Sequence, residues 1–347
     1  MLRTYKFYLS RHIMLHQHVL NFFNRIEFET GEFSDDFFDD DFLKIVNRHP
    51  TILRKRSFNI FDKLRRLEQD ERTRICNEIR LSNDIEAMCV GTHTPKKIDK
   101  KTTGLWKDLR DFFLDLYLQV LDGSGFRDEY STTLREHFNV FSNLNKSITK
   151  CPICGIGELK KAEDECRDQY DHFFPKGFYP FSSVNFVNLV PSCKECNSFD
   201  AKGETDIVAV SSGKIFFPYN NNHAPIILAF KIIKDDIKIE SIEWEMNFTN
   251  SKGENDEITS WRSIYSIDSR YEGFVKARIE KWYRHYWKTV SSTIYNRIPE
   301  DERDETYFEF LRNDEEIELD FIRLPSLTGF LRDSTMATAE LQASFYS

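Results

Sequence analysis

Between Cys151 and Lys202 the chain reads CPICGIGELKKAEDECRDQYDHFFPKGFYPFSSVNFVNLVPSCKECNSFDAK. Two CxxC pairs, Cys151 with Cys154 and Cys193 with Cys196, enclose an Asp171-His172 dipeptide, and Asn188 and Asn197 follow it. Paired thiolates at this spacing suit a closed tetrahedral zinc site, because each CxxC forms a tight knuckle that turns both sulfurs toward one ion. The dipeptide and the two amides are a different chemistry. A carboxylate and an amide can offer oxygens to a hard divalent cation such as Mg²⁺, which keeps its other positions for water and phosphate. An imidazole beside them can act as a base at neutral pH. Two CxxC pairs alone would equally describe a zinc ribbon in a non-catalytic nucleic-acid or protein binding module. Asp171, His172, Asn188 and Asn197, set between and beside the knuckles, favour catalysis over that alternative.

These residues need elements to hold them. Tyr170 to Phe174 reads as a strand, Val187 to Val190 as a short strand or turn, and Cys193 to Lys202 as the first turns of a helix. In such a strand-loop-strand-helix unit the end of the first strand faces the start of the helix. Asp171 and Asn197 can then reach one cation. His172, one residue on, should point to the opposite side of the strand and serve as the base.

The segment resembles the HNH endonucleases of the ββα-metal fold, in the subgroup buttressed by a four-cysteine zinc. The resemblance is carried by the CxxC pairs, the Asp-His-Phe-Phe-Pro-Lys string at 171 to 176, the Asn-Leu-Val-Pro-Ser-Cys string at 188 to 193, and Cys196-Asn197. It implies phosphodiester hydrolysis assisted by Mg²⁺ or Mn²⁺, with DNA as substrate and a nick or a double-strand cut as product. His172 would deprotonate the attacking water, Asp171 and Asn197 would hold the cation, and Asn188 would brace the loop and orient the base. Lys176 and Lys202 become candidates for a phosphate contact. Lys202 departs from the pattern, since the family lysine often follows the Cys-Asn pair more closely. Proteins of this build resemble bacterial effectors of anti-phage defence or restriction, in which other subunits control the nuclease.

The remaining sequence predicts an α+β protein in three parts: a helical region over 1–148, the zinc-stabilised core over 149–206, and a mixed region over 207–347. Leu105 to Leu121 carries apolar residues at helical spacing, as do Met1 to Phe23 and Phe58 to Ile79. Thr133 with Glu136 predicts a capping box, and Gly91 to Thr103 a loop. The acidic run Ser34 to Asp41 reads as a helix opening rather than a metal site. Downstream, 212–218, 225–233 and 237–246 suit strands, Tyr271 to Val290 suits a helix, and the last forty or so residues suggest a weakly ordered tail.

Composition narrows the setting. Of seven cysteines, Cys76, Cys89 and Cys166 are isolated, which fits a reducing compartment better than a disulfide framework. Arg3, Lys6 and Arg11 interrupt the apolar N-terminus, so no signal peptide is predicted, and no run reaches membrane-spanning length. The expected location is the cytoplasm. The net charge of −9 argues against a strong intrinsic grip on nucleic acid, although basic clusters gather at Arg54 to Arg56, Lys63 to Arg66 and Lys96 to Lys101.

Overall fold

A computed structural model describes residues 4–160, 164, 170–219, 224–235, 241–253, 255–313 and 320–333. Cys166, expected as a free thiol, lies outside the described residues. The chain is a mixed α+β protein in which helix predominates and the sheets are small.

Eight helices form the first part: α1 (Ile13–Ile26), α2 (Asp40–Arg48), α3 (Lys55–Leu64), α4 (Gln69–Leu81), α5 (Ile85–Cys89), α6 (Gly104–Asp115), α7 (Ser124–Tyr130) and α8 (Leu134–Leu144). Their apolar faces meet in one core around Phe22, Phe23, Phe42, Phe61, Phe112 and Phe113. The predicted capping box opens α8. Thr133 Oγ1 accepts from the Glu136 amide at 3.1 Å, and Glu136 Oε2 accepts from the Thr133 amide at 2.7 Å. In the acidic run, Ser34 caps a short turn over Asp35–Phe37, and Phe37 and Phe38 turn into the core. The helix expected over Phe58 to Ile79 is interrupted between α3 and α4, where the Leu67 amide turns back to the Leu64 carbonyl at 2.9 Å. Helix α6 follows its predicted periodicity but widens into a π-helical turn at Leu116–Val120. Such turns often mark functional sites.

The central segment holds β1 (Tyr170–His172) and β2 (Leu189–Pro191), paired antiparallel with Asp171 opposite Val190. Cys193 to Lys202 was expected to start a helix. It forms consecutive turns instead, with the Ala201 amide on Ser198 O at 3.1 Å and the Lys202 amide on Cys196 O at 3.3 Å. The curl brings Lys202 back beneath β1. Gly203, at φ +43°, permits the return, since a Cβ there would stand 2.9 Å from the Phe199 Cα.

The C-terminal part contains α9 (Ile207–Val210), the hairpin of β3 (Ile226–Lys234) and β4 (Glu243–Asn250), and then α10 (Asn255–Ile264), α11 (Ile267–Lys276), α12 (Ile279–Val290), α13 (Arg303–Asn313) and α14 (Asp320–Asp333). Residues 212–218 do not pair as a strand, and Ile215 instead donates to the Cys89 carbonyl at 2.8 Å. The helix expected over Tyr271 to Val290 is broken at Ala277 and Arg278. Part of the expected tail is helical. Helix α14 lies against β3 so closely that a Cβ on Gly329 would meet the Phe230 Cβ at 2.8 Å. The tail beyond Asp333 falls outside the described residues.

Among the described residues, two hydrophobic clusters hold most of the buried apolar side chains, and the central segment contributes to both. Tyr170, Phe181, Val184, Phe186 and Leu189 join the N-terminal helical core. Phe173, Phe174, Tyr179, Val190 and the four paired cysteines join the C-terminal one. Packing thus ties the segment over 149–206 to both of its neighbours. No helix among the described residues is long and apolar enough to cross a membrane.

Candidate functional site

The two CxxC knuckles converge. The Sγ atoms of Cys151, Cys154, Cys193 and Cys196 all lie within 4.8 Å of one another and are buried. Cys151 and Cys196 sulfurs are 3.9 Å apart, and those of Cys154 and Cys193 are 3.7 Å apart. A disulfide would need about 2.05 Å. Four sulfurs each about 2.3 Å from a tetrahedral zinc would stand about 3.8 Å from one another, so the cluster fits that ion.

Local backbone explains how the knuckles close. The Gly155 amide donates to Cys151 O and the Cys151 amide to Gly157 O, both at 2.7 Å. Gly157 has no room for a side chain, since a Cβ would sit 2.4 Å from the Cys193 sulfur. Helices α10 and α11 brace the arrangement from outside. Trp261 Nε1 donates to Ile153 O and the Tyr271 hydroxyl to Cys154 O, each at 2.7 Å. Arg270 Nη1 reaches the Cys196 sulfur at 3.4 Å, a cation placed where thiolate charge accumulates.

The second site is a cavity of about 200 Å³ lined by Asp171, His172, Lys176, Asn197 and Tyr117. Asp171 and His172, adjacent on β1, both line this cavity. His172 is the last residue of β1, where the pleat no longer fixes its direction. Its Nε2 lies 3.0 Å from the Ser183 carbonyl, so Nε2 carries the proton and Nδ1 the lone pair. Burial, reinforced by the Lys176 ammonium, pushes the imidazole well below its ordinary value. A neutral ring results at physiological pH.

Asp171 is 4% exposed, and its two oxygens differ. Oδ1 accepts from Lys202 Nζ at 2.7 Å, while Oδ2 is buried without a hydrogen-bond partner. Burial raises the carboxyl above its usual range, with the Lys202 ammonium opposing that rise. Lys202 is 1% exposed and also donates to the His172 carbonyl at 2.8 Å. Expected at a phosphate, it is held under the strand and does not line the cavity. Lys176 does line it, half-buried, with its ammonium 5.1 Å from the centre of the Tyr117 ring.

Asn188 stands behind the cavity and is fully buried. Its Oδ1 accepts from the Phe174 amide at 2.7 Å, and its Nδ2 donates to Phe174 O at 3.1 Å and to Ser182 O and Oγ at 3.3 and 3.1 Å. One amide thus pins the loop after β1 to the loop that carries Ser183. Of the donor set expected for a hard cation, Asp171 and Asn197 both line this cavity, and the Asp171 Oδ2 is buried without a partner. An orphaned buried carboxylate oxygen on a residue that lines a polar cavity fits such an ion.

Two contributors were not singled out from sequence. Tyr117, counted only among the core-facing residues of its helix, sits on the π turn with its ring 4.4 Å from His172, edge to face. Ser183 orients His172 through its carbonyl and anchors itself by donating its hydroxyl to Phe113 O at 2.6 Å. No motif marked either residue, because their roles depend on where α6 crosses the loop.

The comparisons with known proteins are local. The chain is 49% identical over 55 residues to protein ea31 of Escherichia phage lambda, covering 16% of this chain and 16% of that protein. It is 43% identical over 54 residues to Septu protein PtuB of Bacillus thuringiensis, covering 16% of this chain and 20% of that protein. No protein-family profile and no solved structure matches. A mixed α+β chain with a four-cysteine cluster fit for zinc is thus similar, over about a sixth of its length, to a phage protein and to a bacterial Septu protein.

Proposed function

We propose that the chain is a metal-dependent HNH endonuclease that hydrolyses phosphodiester bonds in DNA, built on a structural zinc with a separate site for Mg²⁺ or Mn²⁺. The observation that carries this reading is the pairing, on one cavity, of a neutral His172 whose Nε2 is already committed with an Asp171 oxygen that has no partner. A module that only bound its target would have no use for an unsatisfied buried carboxylate oxygen, which costs stability.

The roles follow from the contacts. His172 takes a proton from water at Nδ1, and the Ser183 carbonyl stabilises the imidazolium that forms, since it already accepts from Nε2. Asn188 keeps the base and the loop in register. Lys202 holds Asp171 Oδ1, which leaves Oδ2 without a partner, so we assign Lys202 a positioning role and keep the phosphate contact for Lys176, which lines the cavity. A divalent cation on Asp171 and Asn197 would supply charge neutralisation at the phosphate and at the leaving oxygen. The zinc would take no part in the reaction and would act through folding.

The place of the enzyme follows from the resemblance of its motif to defence and restriction nucleases, and the likeness to Septu protein PtuB is in keeping with it. We read the chain as a cytoplasmic effector working with other subunits of such a system. Incubating supercoiled plasmid with the protein and Mg²⁺ or Mn²⁺ tests the activity. Nicked or linear product is expected, and plasmid left intact by the wild type, with partner subunits supplied, would refute the reading.

A further inference from the structure

The basic clusters of this acidic chain differ in how they are neutralised. Arg54 pairs with Asp35, Arg56 with Asp115, Lys63 with Asp108, and Arg65 and Arg66 with Asp62. These charges are spent within the fold. In the loop between α5 and α6, Lys96, Lys100 and Lys101 are exposed and form no ion pair among the described residues, Lys96 resting its ammonium 4.8 Å from the centre of the Trp106 ring. Lys97, their neighbour, is held by Asp206 at 2.9 Å and is set aside.

The position of this loop gives the unpaired charge a purpose. Ile98, fully buried, pins the loop by donating its amide to the Phe178 carbonyl at 2.8 Å. Phe178 lies in the same turn as Lys176, two residues on and thus at most about 7 Å away, and both Lys176 and Gly177 line the cavity. The lysine loop therefore continues the cation of the cavity outward. On another part of the rim stands Phe199, the most exposed large apolar side chain among the described residues at 85%. The turns from Ser198 to Gly203 hold it outward, and an aromatic ring so displayed offers a face to an unpaired base.

We propose that the loop over 92–103 and Phe199 form the nucleic-acid-binding rim of the cavity, with Lys96, Lys100 and Lys101 on backbone phosphates and Phe199 stacked on a base. An acidic protein surface would be drawn to the lysines but would have no use for a solvent-facing ring beside a phosphate cavity. The inference rests on the reading that the cavity receives a phosphodiester. It adds the path by which the strand leaves it.

Binding, measured apart from cleavage, tests the proposal. In the His172→Ala background, affinity for a labelled DNA fragment carrying a single-stranded stretch is followed by fluorescence anisotropy over a range of salt concentrations. Each lysine lost from a phosphate removes about 0.9 from the slope of log affinity against log salt. The variant carrying Lys96→Gln, Lys100→Gln and Lys101→Gln should show a slope shallower by about 2 to 3. Phe199→Ala should weaken binding about 5- to 100-fold with the slope unchanged. Zinc content and melting temperature report on folding, and if the triple variant fails to fold, Lys100→Gln and Lys101→Gln singly should each remove about 1. An unchanged slope, or capture of an acidic protein without affinity for DNA, would overturn the proposal. A slope made shallower by the lysine substitutions, combined with plasmid left intact by the wild-type protein with its partner subunits, would uphold the rim and refute the nuclease reading.

Discussion

The four-cysteine cluster and the Asp171–His172 cavity share one short segment, yet they are held by contacts from different parts of the chain. Trp261, Arg270 and Tyr271, all from the C-terminal helices, reach the cysteine knuckles. The cavity is braced from the N-terminal helices. Ser183 is anchored to Phe113, Asn185 donates to the Asn83 carbonyl at 2.9 Å, and Tyr117 packs on His172. The two sites also differ in completeness. The thiols satisfy one another's geometry, whereas Asp171 keeps an unused oxygen. A closed site serves stability and an open one serves chemistry.

That contrast breaks most sharply at the cysteines. Cys151→Ser together with Cys193→Ser should abolish zinc binding and, because metal affinity in such clasps is folding free energy, abolish activity with it. Elemental analysis of the purified protein, with circular dichroism, checks this. Full zinc occupancy in the double variant would show that the clasp is not the ligand set. Lys202→Met acts on the other site. It strands a buried Asp171 carboxylate, and breaking such a pair by removing one partner costs about 3–5 kcal/mol. Denaturant unfolding should show that loss while zinc content holds at the wild-type level. A change of less than about 1 kcal/mol would contradict the structural pairing.

A third test concerns pH. His12 and His137 lie against each other in the N-terminal core, 5.2 Å apart, where burial lowers them to about 4 and about 3. Asp122 and Glu136 offset the burial at His12 only in part. Both rings are neutral in the fold, while in the unfolded chain they take up protons near pH 6.5. Stability is therefore intact above pH 6.5 and falls as the pH drops toward 4, by up to about 1.4 kcal/mol per pH unit for each ring. Melting curves at pH 7 and pH 5 should differ in that direction, and His137→Gln should lessen the difference. Equal stability at the two pH values would contradict the burial of these rings.

Much of this arrangement was legible in the sequence where the signal is local. The CxxC pairs announced their convergence, the Thr133 and Glu136 spacing gave a capping box, and the periodicity from Leu105 gave the helix that reaches the cavity. What depends on distant contacts was not legible. Cys193 to Lys202 curls instead of starting a helix, because its end must return to place Lys202 beneath Asp171. The π turn at Leu116–Val120 leaves no mark on the apolar pattern, so Tyr117 passed for an ordinary core residue. The helical ending over Asp320–Asp333 is explained by its packing on β3, which acidic composition could not reveal.

The central claim is that folding and reaction belong to separate layers of one segment, and a single variant tests it. His172→Ala, assayed beside the wild type for plasmid cleavage with Mg²⁺ or Mn²⁺ and for bound zinc, should lose about 10²- to 10⁴-fold in rate while keeping one zinc per chain and a cooperative unfolding transition. Cleavage at the wild-type rate by this variant, or loss of zinc along with activity, would contradict the account.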